Sequence, residues 1–276
     1  MELGRQGLGS MRLRQHTDAD PDRDPVALVH AALDAGITMV DTADAYQNEE
    51  LVGRAIRRRR NEVVLAGKFG LVWQDGIAGN FRVRADPAYV RQAAEASLRR
   101  LGVDVIDLYY LHHRSEAVPI EDTVAAMAEL VDKGVVRALG LSNVTADDLR
   151  RAHAVHPITA LQERWSLFER DVERGLLPAA TDLGVTIVAH SPTDHGSLHR
   201  VPDAGPALDE IARAHDATPG QVALAWVHHR TEVHDVTVVP LPGTTNVRHL
   251  RINAAARDIR LTDEQLHQLN ALVMSC

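Results

Sequence analysis

Short, continuous apolar runs rich in β-branched residues recur along the chain at residues 37–40, 63–66, 105–111, 135–141, 158–161, 185–189 and 236–239. A strand that is apolar on both faces must be covered on both sides, as in a parallel sheet flanked by helices. Between these runs the apolar positions switch to helical spacing. Over residues 119–133, Val124, Met127 and Val131 recur three or four apart, Pro119 suits a first turn, Glu121 and Asp122 follow it, and Gly134 stops the helix. Three further helix starts are marked by Thr145 with Asp148, Thr218 with Pro219 and Gln221, and Thr262 with Gln265 between Leu261 and Leu266. In each, a hydroxyl and a side chain three residues on can satisfy one another's orphan backbone donors.

Taking residues 6–10 as a short first strand gives eight strands alternating with helices, and no Ser/Gly/Pro-rich linker divides the chain. Parallel strands joined by right-handed crossovers follow from that alternation, and eight of them close into a barrel. The expected fold class is therefore α/β, a (β/α)8 TIM barrel formed by residues 1–276 as a single domain. Two extra capped helices, near 219–229 and 262–273, are expected to pack outside it. An open dinucleotide-binding sheet would need Gly-x-Gly-x-x-Gly opening the first helix, whereas Gly7-Leu8-Gly9 is followed by Ser10-Met11-Arg12.

A parallel barrel carries its working surface at the C-terminal strand ends. Polar residues gather there: Asp41 and, five residues on, Tyr46 after the second run, Lys68 after the third, His112 after the fourth, Ser142 and Asn143 after the fifth, Gln162 after the sixth. A buried, unpaired ammonium is expensive, so Lys68 needs a partner, and Asp41 is the candidate. A tyrosine hydroxyl with a pKa near ~10 is a poor acid at neutral pH. A neighbouring ammonium lowers that value, on the order of 1–3 units for a close opposite charge. With His112 donating a hydrogen bond to an oxygen acquiring negative charge, the set suits protonation of an oxyanion.

These residues, in DTADAY (41–46), AGKFG (66–70) and DLYYLHH (107–113), resemble the Asp-Tyr-Lys-His tetrad of the aldo-keto reductase superfamily. The likeness extends through GLSN (140–143), Gln162 in ALQERW and PGTTNVRHLRINAA (242–255), from about Gly7 to the last helix. It implies an NAD(P)H-dependent oxidoreductase that reduces an aldehyde or ketone by hydride transfer, with NADPH favoured, NADH as the alternative, and no metal. By the same resemblance Tyr46 is the general acid, Asp41 and Lys68 tune it, and His112 positions the carbonyl. Ser142, Asn143 and Gln162 would bind the nicotinamide carboxamide, with Gly9, Ser10, Met11 and Asp41 lining the same mouth. Gly243, Thr244, Thr245, Asn246, Arg248, His249 and Asn253 would hold the adenosine phosphates near a helix start, where backbone N–H groups favour anions.

His190, before Ser191-Pro192, stands where the family usually places an aromatic residue under the nicotinamide, and an imidazole offers less stacking area and can titrate. Ile252 stands where a Glu often meets adenine. Substrate choice is expected to rest with loops 71–86 and 191–206, which carry Trp73, Phe81, His195, His199 and Arg200; Trp73, with Tyr46 and His112, forms the expected pocket wall. Few residues precede Gly7, so the N-terminal hairpin that usually plugs the barrel floor is expected to be short or absent.

Charge and composition narrow the partners. With 30 Lys and Arg against 38 Asp and Glu the formal charge is -8, which disfavours nucleic acid. The basic run Arg57–Arg60 is expected to end a helix, where cations complement the dipole. A single cysteine, Cys276, allows no intrachain disulfide and points to a cytoplasmic setting, and no apolar stretch is long enough for a membrane span. The expected partner is a small-molecule carbonyl substrate; nothing in the sequence indicates an oligomeric state. Two other functions compete. A non-catalytic NADP(H)-binding regulatory subunit would bind cofactor without turnover. A metal-dependent barrel hydrolase would draw on the 15 histidines, but His112 and His113 alternate faces and His228 and His229 fall in an expected outer helix.

Overall fold

In the computed structural model, which describes residues 1–15, 21–74, 80–194 and 206–272, each apolar run holds a strand. In chain order the elements are β1 (Gly7–Gly9), α1 (Pro25–Asp34), β2 (Met39–Asp41), α2 (Glu49–Ile56), β3 (Val64–Phe69), β4 (Leu71–Trp73), β5 (Phe81–Val83), α3 (Pro87–Leu101), β6 (Ile106–Leu111) and α4 (Ile120–Asp132). There follow β7 (Val136–Ser142), α5 (Ala146–Val155), β8 (Ile158–Arg164), α6 (Leu176–Leu183), β9 (Thr186–His190), α7 (Pro206–Ala214), α8 (Pro219–His234), β10 (Val238–Leu241), α9 (Val247–Ala255) and α10 (Asp263–Asn270).

An eight-stranded sheet runs β1-β2-β3-β6-β7-β8-β9-β10, parallel throughout. It closes on itself where Gly9 bridges Gly243, the Gly9 N–H donating to the Pro242 carbonyl at 3.0 Å. A Cβ on Gly243 would sit 3.0 Å from the Gly9 carbonyl oxygen, so closure at this seam depends on glycine. Alternation along the strands separates two apolar layers. Met39, Ala66, Leu108, Tyr110, Ala160, Val188 and Val239 fill the interior, while a larger cluster, including Leu65, Ile106, Leu139 and Leu161, packs outward against the helices.

The three capping boxes form as the spacing predicts, at Thr145/Asp148, Thr218/Gln221 and Thr262/Gln265. Three expectations change. The helix near 219–229 is not surplus: α8 packs against β10 and α9, with Val222 to Val227 and Arg230 all buried. The stretch Val222–Val227 is apolar on every side and must be covered all round, and α7 supplies the outer cover, so α7 and α10 are the additional pair. Arg57–Arg60 lie in a 3-10 stretch beyond α2, where Arg59 pairs with Asp34 and Glu62, and Arg60 with Asp107, so ion pairing rather than the dipole occupies the last two. Within loop 71–86, β4 and β5 form an antiparallel hairpin. Strands of three residues are too short to show an alternating pattern, and pairing alone reveals them. Residues 1–6 ahead of β1 form no strand.

Candidate active site

Asp41 ends β2, Lys68 is the penultimate residue of β3, and His112 follows β6, its backbone N–H donating to the Phe69 carbonyl at 2.9 Å. Tyr46 sits in a 3-10 turn, Asp44–Tyr46, just beyond Thr42. That turn is anchored by groups not anticipated from the sequence. Thr42 Oγ1 donates to Asn48 Oδ1 at 2.8 Å, and Asn48 Nδ2 donates to the Ser10 and Leu13 carbonyls at 2.7 and 3.2 Å. Both side chains are buried, and the available signal was a Thr and an Asn flanking the DAY triplet.

The four expected residues converge. Lys68 is fully buried and ion-paired to Asp41 Oδ1; its Nζ also donates to the Thr42 carbonyl at 3.3 Å and the Tyr46 hydroxyl at 3.4 Å. The His112 ring meets the Tyr46 ring edge-on, centroids 5.7 Å apart. Gln162 Nε2 donates to Asp41 Oδ2 at 2.8 Å, so both carboxylate oxygens are held and Gln162 joins the tetrad's network as well as facing the mouth. Trp73 Nε1 donates to the Ala45 carbonyl at 2.8 Å, which fixes the β4–β5 hairpin beside the Tyr46 turn. Phe81 meets the Trp73 indole edge-on at 6.4 Å, and both rings are solvent-exposed.

Burial depresses Lys68, but Asp41 and then Tyr46 more than offset it, so the ammonium is held above its ordinary value. Tyr46 does not follow the simple expectation. Burial raises the phenol above its usual value, Lys68 pulls it down, and Asp41 pushes it back up. The ammonium opposes the rise without reversing it, because its own counter-ion sits in contact and cancels much of its field at the hydroxyl. Burial, with the Lys68 charge behind it, pushes His112 down to about 2, so the ring is neutral at any working pH.

Ser142 and Gln162 are buried at the ends of β7 and β8. Asn143 adopts a left-handed φ of 53°, and its Nδ2 donates to the His112 carbonyl at 2.9 Å and to Ser142 Oγ at 3.0 Å. Across the rim, His190 ends β9 with Nδ1 3.1 Å from Ser191 Oγ, and Pro192 is buried. Ser10 is buried with its N–H on the Asp41 carbonyl at 2.9 Å, Met11 is exposed, and Gly9 belongs to the barrel seam.

After Gly243, Thr244 and Thr245 lead into α9, where one expectation is corrected. The N–H groups of Arg248 and His249 do not await an anion: both donate to Asn246 Oδ1, at 2.8 and 3.2 Å. Asn246 is the helix cap and Thr244 Oγ1 bonds its backbone, so the exposed Arg248 and His249 side chains and the Thr245 hydroxyl are what the segment offers a phosphate. Ser10 Oγ, His112 Nδ1 and Asn253 Oδ1 are buried without hydrogen-bond partners. Orphans of this kind cost roughly 1–3 kcal/mol each, and a polar ligand reaching them would remove that cost.

His195, His199 and Arg200 lie outside the described residues, as does Cys276. Among the described residues, no group of three or more His, Cys, Asp or Glu could hold a metal ion, and no helix is long and apolar enough to cross a membrane. A groove of about 690 Å³ lies at the opposite end of the barrel, among Leu3, Arg5, His228 and Leu261, and none of the tetrad reaches it.

A family model described as the aldo/keto reductase family matches residues 6–274. Among solved structures, an aldo/keto reductase from Klebsiella pneumoniae in complex with NADP and acetate is 32% identical, with a TM-score of 0.82, 96% of this chain and 90% of that one being covered. A Klebsiella pneumoniae aldo-keto reductase in complex with NADPH is 33% identical, with a TM-score of 0.82 and coverage of 96% and 89%. The glycerol dehydrogenase of Gluconobacter oxydans is 28% identical, with a TM-score of 0.85 and coverage of 97% and 90%.

Proposed function

Because the chain belongs to the aldo/keto reductase family, we propose that it reduces an aldehyde or ketone to the alcohol by hydride transfer from NAD(P)H, with Tyr46 as general acid. The observation that carries this reading is the buried Lys68 ammonium between Asp41 and the Tyr46 hydroxyl, 3.4 Å from the latter. When the phenol gives up its proton, a phenolate at that distance from an ammonium gains about 5 kcal/mol at an effective dielectric of 20. Asp41 takes back part of this gain, which is why Lys68 moderates the phenol instead of ionising it. Tyr46 thus stays protonated through the neutral range and releases its proton only when an oxygen acquires charge beside it.

His112, neutral, offers an N–H to the carbonyl oxygen without competing as a cation. Tyr46 supplies the proton to that oxygen, and solvent restores it to the phenol. Trp73, with Phe81 at its edge, forms an apolar wall for the substrate body.

Bound NAD(P)H supplies the hydride that adds to the carbonyl carbon. Ser142 and Asn143 are suited to hold its carboxamide, and Ser10 and Asn253, with buried unpartnered atoms, to meet other polar groups of the cofactor. Arg248 favours a ribose phosphate, hence NADPH, and the similar Klebsiella pneumoniae proteins bound to NADP and NADPH support the same choice. A lone cysteine and a small-molecule substrate are in keeping with a cytoplasmic enzyme. The test is Tyr46→Phe against an aromatic aldehyde with NADPH. Turnover should fall by about 10²–10⁴ while cofactor affinity stays nearly constant. Wild-type turnover in the variant, or cofactor binding with no turnover by the wild type, would overturn the assignment.

A further inference from the structure

Glu163 follows Gln162 on β8, and strand alternation turns it away from the barrel interior in which Gln162 meets Asp41. Its side chain ends behind the turn after β7. Oε1 accepts the Val144 N–H at 3.3 Å, and the adjacent Asn143 N–H favours the charged form of the same carboxyl. With Asn143 left-handed at φ 53°, the two successive N–H groups form the kind of concavity that elsewhere receives an anion. Here a carboxyl of the same chain fills it.

The surroundings of Glu163 contribute burial and those two donors, but no charged partner; burial pushes its carboxyl up to about 7. A carboxyl in such a place is costly unless its hydrogen bonds do something the fold needs. What they hold is the left-handed turn at Asn143, a conformation that L-residues other than Asn and Asp rarely adopt. That backbone aims Asn143, whose amide also grips the His112 carbonyl and Ser142 Oγ.

We infer that Glu163 is a positioning residue for cofactor binding: from behind, it locks the Ser142–Val144 turn so that Ser142 and Asn143 are presented to the nicotinamide end of the cofactor. The inference rests on the reductase reading above. Released from Glu163, Asn143 would lose its reason to stay left-handed, and cofactor affinity should suffer more than chemistry.

The test is NADPH titration by quenching of protein fluorescence. Glu163→Leu should raise Kd at least tenfold while lowering turnover at saturating NADPH far less. Glu163→Gln, which keeps an acceptor oxygen for both N–H groups, should stay within threefold of the wild type in Kd. Amide exchange in the wild-type protein gives a measurement that needs no variant: the Val144 N–H should be protected before cofactor is added. Wild-type protein that fails to bind NADPH would overturn the reductase reading and this inference with it. Wild-type binding together with an unchanged Kd in Glu163→Leu, or an unprotected Val144 amide, would overturn this inference alone.

Discussion

Replacing Asp41 by Leu removes the counter-ion of a fully buried ammonium and leaves Lys68 only the Thr42 carbonyl and the Tyr46 hydroxyl. Breaking a buried pair from one side typically costs about 3–5 kcal/mol. An independent ceiling exists, because the lysine can escape by giving up its proton. At pH 7, against an unperturbed pKa of ~10.4, that costs roughly 4–5 kcal/mol, and the cost falls by about 1.4 kcal/mol for each pH unit. The two figures agree, and they predict a lowering of Tm by roughly 6–15 °C.

The sign of the pH dependence follows. In the wild type the folded pKa of Lys68 is raised, so the stability it brings is complete below the unfolded value and is lost as pH climbs through the folded one. In Asp41→Leu the folded pKa is depressed, so between that value and ~10.4 the variant gains stability with rising pH. Guanidinium unfolding at pH 7 and pH 9 separates the two: the Lys68 contribution of the wild type should be level across that interval, while Asp41→Leu should gain stability. The double variant Asp41→Leu/Lys68→Met should regain most of the stability, since an apolar pair of similar volume replaces a buried ion pair at little cost, yet Asp41→Leu, Lys68→Met and the double variant should each lose at least ~10² in turnover. A double variant as unstable as the sum of its singles, or an Asp41→Leu deficit that stays flat with pH, would refute the buried-pair reasoning.

Two other outcomes are expected. Gly53 in α2 faces the end of α3 so closely that a Cβ would lie 2.0 Å from the Leu101 carbonyl oxygen. Although alanine is the better helix former by about 1 kcal/mol, Gly53→Ala should therefore destabilise by roughly 3 kcal/mol, and a neutral or stabilised urea midpoint would count against that helix contact. Because His112 is pushed down to about 2, the pH–rate profile between pH 5 and 9 should keep its shape in His112→Gln, which retains a neutral donor, while His112→Ala loses more turnover. Disappearance in His112→Gln of an acidic limb near ~6.5 would show that the ring is charged after all.

Several features of the molecule were legible because they are local. The seven apolar runs and the three capping boxes are written in contiguous residues, and the polar residues ending those runs mark the rim that a parallel barrel exposes. Asp41, Tyr46, Lys68 and His112 could be assembled for that reason, although they come from three different strand ends. Other features were hidden for equally physical reasons. Thr42 and Asn48 are small polar residues in a turn, and their role appears only when the Ser10 and Leu13 carbonyls are brought beside them. The β4–β5 hairpin depends on pairing, and the place of α8 depends on a cover supplied by α7.

The sequence by itself determined the number of barrel strands, their closure and the polar residues that end them, because hydrophobic period and strand-end chemistry need no distant partner. Only the tertiary structure decided how those residues act on one another. It ties Gln162 to Asp41, gives the Arg248 and His249 amides to Asn246, and leaves Tyr46 raised despite Lys68. Each of these outcomes is a balance of desolvation, charge and hydrogen-bond competition among groups far apart in the chain, and such balances acquire a sign only when the distances are known.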